Sequence, residues 1–188
     1  MIKRRLMAGA TPSPAPVLIC LVLAAFSGPA SAQQDPANAC GALVGTYVTT
    51  VTDTEGVFAS RALATFTGDG IMLITDSGQS GLPGIYQPFT SSHGAWTCLG
   101  AEDGAIRAAA TGLSFLVPGE GLSTSFGRTD YRLTLDSNTG NLSGSVELSF
   151  TTDGDLESAD PIEAPGPVFE TFEIEGRRLV ARTEPRES

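Results

Sequence analysis

Lysine is absent after Lys3, and His93 is the only histidine of the 188 residues. One histidine cannot supply the usual ligand set of a zinc site. No Gly-x-Ser-x-Gly elbow accompanies it, so the Ser-His-Asp hydrolase pattern is missing. His93 stands between Ser92 and Gly94 in a strand-like stretch, where a surface or rim position is expected. Helix signals are scarce as well. No window of about 12 residues carries a 3.6-residue apolar stripe with caps. A glycine-rich phosphate cradle therefore has no helix to open. Basic charge is short: 11 Lys and Arg against 21 Asp and Glu leave a net charge of -10. That excludes the basic face a nucleic-acid partner requires.

Apolar runs long enough to span a bilayer are missing too. The longest, residues 17–26 (VLICLVLAAF), covers only about 15 Å as a helix, against about 30 Å of hydrocarbon. Lys3, Arg4 and Arg5 precede it and Ala30-Ser31-Ala32 follows it, the three parts of a secretory signal over residues 1–32. Cys20 follows Ile19, whereas a lipid-attachment cysteine wants a small neighbour. Loss of the three signal charges leaves 8 cations, all arginine, against 21 acids, a net charge of -13. Such a surface favours solubility and repels anionic membranes and nucleic acid. The expected product is exported, periplasmic or extracellular, with no transmembrane anchor after signal removal.

Cys40 and Cys98 remain. An even pair in an exported chain predicts one disulfide. It would close a loop of about 59 residues, for which the chain-entropy relation gives about 4 kcal/mol. It would tie the N-terminal segment to a strand in mid-chain. Residues 33–39 (QQDPANA) read as a polar leader, residues 40–182 as a single β domain, and 183–188 as a loose tail.

Strand signals fill that domain. Residues 43–52 are rich in β-branched side chains and end at Asp53-Thr54-Glu55-Gly56. Residues 57–67 stop at Gly68-Asp69-Gly70, and 71–75 at Asp76-Ser77-Gly78. A long irregular stretch, 76–90, follows; a connection of this length is usually functional or mobile. Further strands are expected over 91–99, 105–117, 122–135 and 141–150, and 168–181 forms a last strand or a hairpin around Gly176. Tyr131, Leu133 and Leu135 share one face of their strand. Leu142, Val146, Leu148 and Phe150 alternate with Ser143, Ser145, Glu147 and Ser149, a period of two with one face buried. The fold class is all-β. About eight strands joined mostly by short turns predict a single antiparallel up-and-down barrel, with a β-sandwich as the alternative.

The order Gly45-Thr46-Tyr47, Thr65-Phe66-Thr67-Gly68-Asp69-Gly70, Gly94-Ala95-Trp96 and Thr129-Asp130-Tyr131 resembles the lipocalin-like (calycin) barrels. It is more closely similar to a group of small exported bacterial barrels of unassigned function. The likeness covers roughly residues 41–150, with Tyr47 standing where lipocalins place tryptophan. It implies a barrel, with Arg177 or Arg178 as the arginine of the third motif. Independently of the family, glycine beside an aromatic lets a ring lie across bare backbone. Tyr47 and Trp96 are thus expected to plug one barrel end.

No catalytic residue, metal ligand or cofactor site is predicted. Asp136-Ser137-Asn138-Thr139-Gly140-Asn141 has a calcium-loop flavour but lacks the glutamate an EF-hand needs, and reads as a hairpin turn. Asp153-Gly154-Asp155-Leu156-Glu157 is read the same way. Asn141-Leu142-Ser143 matches the glycosylation triplet. Small residues at Ser60, Ala62 and Ala64, and at Ala108, Ala110 and Gly112, would leave room inside a barrel. Phe66, Tyr131, Ala62 and Ala64 are the candidate ligand-binding residues, and a small hydrophobic ligand is the expected partner. The alternatives are a structural or interaction protein of the cell envelope and a cyclase-like barrel enzyme, similar to allene oxide cyclases and dirigent-like proteins, that guides its substrate by shape. The oligomeric state is not legible.

Overall fold

The computed structural model describes residues 40–81, 87–117, 125–151 and 166–181. The expected signal, leader and tail, and the Asp153–Glu157 stretch, lie outside the described residues. A 3-10 turn, Gly41–Leu43, opens the described chain. Eight strands follow: β1 (Gly45–Asp53), β2 (Phe58–Phe66), β3 (Ile71–Asp76), β4 (Ser92–Glu102), β5 (Ala105–Leu116), β6 (Ser125–Asp136), β7 (Asn141–Phe150) and β8 (Val168–Arg178).

Each strand pairs antiparallel with its sequence neighbour, and β8 returns to β1 through seven residue pairs, from Tyr47↔Arg178 to Asp53↔Phe172. That last ladder closes the sheet into an up-and-down barrel, so no edge strand is left unpaired. It also decides against the sandwich, which would leave β1 and β8 as separate edges.

Two expected boundaries need correction. Leu43 belongs to the 3-10 turn and not to β1, because its side chain, fully buried, folds inward across the barrel end. Gly176 does not turn a hairpin. It runs straight through β8 opposite Thr49, where an added Cβ would meet the Thr49 methyl at 2.6 Å.

Up-and-down winding puts alternate connections at opposite ends. The β2–β3, β4–β5 and β6–β7 turns share one end with the 3-10 turn. The last of these shows the local chemistry. Asp136 accepts hydrogen bonds from the N–H groups of Asn138 and Thr139 and from the Thr139 hydroxyl, and Gly140 adopts the φ of +73° that closes the turn. The Thr139 hydroxyl bond, with those backbone donors, holds the Asp136 carboxyl below the usual carboxylate range. The carboxylate is thus spent on its own turn.

Buried side chains cluster at this end. Tyr47, Phe66, Met72 and Leu43 are all fully buried there. Phe66 lies edge-on to Tyr47 at 5.9 Å and to Trp96 at 6.1 Å between ring centroids, contacts worth about 0.5–1.5 kcal/mol each beyond their area. The Tyr47 hydroxyl donates to the Leu43 carbonyl (3.1 Å) and the Trp96 indole N–H to the Thr67 carbonyl (2.9 Å), so neither polar handle is stranded. Of the two candidate arginines, Arg178 reaches the plug. It donates to the Tyr47 hydroxyl (2.9 Å) and to the Ala42 carbonyl, with its guanidinium carbon 5.3 Å from the Tyr47 ring centre. The Cys40–Cys98 disulfide, with Cα atoms 6.0 Å apart, ties the 3-10 turn to β4.

Candidate functional site

The opposite half of the barrel is hollow. A cavity of about 580 Å³ occupies it, lined by side chains from all eight strands. Alternation along the strands explains the wall. Inward positions on β2, β3 and β7 offer Ala62, Ile74, Val146 and Leu148, while β8 adds Phe172 and Ile174. The small side chain at Ala62 leaves the space that larger residues fill at the plugged end. Volume and apolar wall match the usual dimensions of small-molecule sites.

The rim is apolar as well. Phe58 and Phe169 line the cavity while 59% and 66% exposed. Val57, Phe115, Val117 and Val168 are exposed around the same strand ends. Among the described residues these side chains set apolar surface beside the cavity.

A few polar groups interrupt this wall. Asp76 at the end of β3 accepts a hydrogen bond from the Ser60 hydroxyl (2.7 Å) and another from the Gly78 N–H (2.6 Å). Asp53 accepts from the N–H groups of Glu55 and Val57 across the β1–β2 turn. Gln87 presents a buried side-chain oxygen that has no hydrogen-bond donor. Tyr131 is buried on the β6 wall, 6% exposed. Burial pushes its phenol up to about 12, the charges of Asp76 and Asp130 add to the rise, and a hydrogen bond with Thr129 opposes it.

The sign of that shift predicts an alkaline effect. The unfolded phenol ionises near its ordinary value of 10, before the folded one at about 12. The contribution is fully present below pH 10 and is lost as pH rises toward 12. Tyr131→Phe removes the titrating group, so its stability is expected to fall less than wild type between pH 10 and 12. Urea denaturation at neutral and alkaline pH measures the difference; equal losses would contradict it.

Of the four candidate ligand-binding residues, Ala62 and Tyr131 line the cavity together. Ala64 and Phe66 lie further down β2 outside its lining, and Phe66 is clamped between the plug rings Tyr47 and Trp96. Asp130, next to Tyr131, points outward instead. Burial alone would raise its carboxyl, but hydrogen bonds from Arg128 (2.7 Å) and Thr111 outweigh this and hold it below the usual range. His93 is exposed on β4, opposite Leu73 and Leu113 and outside the cavity lining. Sequence reasoning missed Asp76, Gln87 and Phe89 as lining residues. All three fall in the 76–90 stretch, whose length was the available signal.

Among the described residues no helix is long and apolar enough to cross a membrane, and no three His, Cys, Asp or Glu side chains gather as metal ligands. No protein-family model, curated protein or solved structure matches the chain.

Proposed function

We propose that this chain is an exported, lipocalin-like binding protein that carries one small apolar molecule in the open half of its barrel. The observation that carries this reading is the asymmetry of the interior, with buried side chains clustered at one end and a largely apolar cavity at the other. A barrel built only for stability gains by filling its core, since voids forfeit dispersion contacts. A disulfide and a signal-like N-terminus support export.

Titration with a neutral apolar fluorophore such as N-phenyl-1-naphthylamine tests the reading. Saturable binding at one site per chain is expected, with displacement by long-chain alcohols. A protein that binds neither probe nor alcohol would contradict it.

An interaction protein is the second reading, and one observation favours it. Val48 on β1 and Leu63 on β2 sit directly opposite each other on the outer face, with Leu73 of β3 diagonal to Leu63, and all three are exposed. Size-exclusion chromatography at two concentrations separates the readings: self-association through this face gives concentration-dependent elution, and a monomer at both gives none.

A further inference from the structure

We propose that the cavity selects an apolar molecule with a cationic head, an aliphatic amine in chemical class, and rejects fatty-acid carboxylates of equal chain length. This deepens the apolar-ligand reading and rests on it.

Among the described residues the lining carries three carboxylates, Asp53, Asp76 and Glu170, and no arginine or histidine. Among the described residues the ion pairs are Arg107–Glu102 and Arg128–Asp130, so neither uses a lining carboxylate. Among the described residues the lining therefore holds negative charge with no ion-paired counter-charge. Asp76 is held in place by the Ser60 hydroxyl and the Gly78 N–H, and its charge reaches the buried Tyr131 hydroxyl, whose ionisation it opposes. The unmatched Gln87 oxygen wants a donor, and an ammonium group supplies N–H donors where a carboxylate has none. Exposed Phe58 and Phe169 at the rim add ring faces that attract cations.

An anionic head would fare poorly here. Its described side-chain partners are neutral hydroxyls and the Gln87 amide, with no cation, and it would lose water beside like charges.

The test uses the mature protein loaded with N-phenyl-1-naphthylamine at neutral pH. Dodecylammonium, dodecanol and dodecanoate compete for it, all below their micelle concentrations. Dodecylammonium is expected to displace the probe at a concentration at least about tenfold below that of dodecanoate, with dodecanol between. The gap should narrow when salt rises from about 50 mM to about 500 mM, as screening demands. It should narrow also in Asp76→Asn, with circular dichroism as the folding control and Glu170→Gln as the second variant. Dodecanoate competing as well as dodecylammonium would overturn the charge selection while leaving the apolar cavity standing. Failure of the probe itself to bind would overturn both.

Discussion

Replacing Cys40 and Cys98 together by serine is expected to remove about 4 kcal/mol of stability and lower the melting temperature by on the order of 10 °C. The bond spans a sequence separation of 58, so its loss frees a long loop in the unfolded chain. In the native state it does a second job. Cys40 leads directly into the 3-10 turn whose Leu43 is fully buried and whose Leu43 carbonyl accepts the Tyr47 hydroxyl. Without the tether this turn can lift, exposing Tyr47 and Phe66 at the plugged end. Urea denaturation of the variant, and of wild type with reductant, should agree. A change below about 1 kcal/mol would mean that plug packing alone secures the turn.

Gly94→Ala is expected to destabilise the barrel by more than about 4 kcal/mol, the range reserved for steric failures inside a core. A Cβ on Gly94 would stand 1.8 Å from the Thr111 carbonyl oxygen and 2.7 Å from its carbon. Those atoms are backbone of β5, fixed by the Gly94↔Gly112 register, and cannot yield unless the β4–β5 ladder opens. Gly68 provides the control. Nothing lies within 4 Å of its added Cβ, so Gly68→Ala should stay within about 0.5 kcal/mol of wild type. Equal stability of the two variants would contradict the close approach at Gly94.

The strands were legible because alternation survives in the sequence wherever one face is dry and the other wet. Tyr131, Leu133 and Leu135 on β6, and Leu142 and Val146 on β7, face inward as their period of two requires. The disulfide followed from two cysteines left in the expected mature chain. Which of the two candidate arginines would meet Tyr47 had no signal in sequence. Arg177 and Arg178 are adjacent, and only the strand's phase at β1 decides that Arg178 reaches the Tyr47 hydroxyl.

Other features had no local signal. Closure depends on β8 meeting β1 across more than a hundred residues, a separation that no window of sequence reports. The boundary between plug and cavity falls within β2, where Ala62 lines the hollow half and Phe66 fills the other. Both are apolar and both point inward, so periodicity alone cannot divide them. Asp76 looked like a turn residue, and it is one, since the Gly78 N–H bonds to it. Its second service, charging the cavity wall, comes from the inward phase of β3 and could be seen only with the neighbouring strands in place.

Methyl-resolved NMR of the folded protein during titration with dodecanol, a neutral ligand, tests the half-hollow barrel most directly. The methyl groups of Ala62, Ile74 and Val146 should shift together and saturate at one ligand per chain, while those of Ala64, two residues along β2, and of Leu43 stay fixed. Shifts at the outward Leu63 and Leu73 with Ala62 unmoved would contradict it, as would no shift at any methyl.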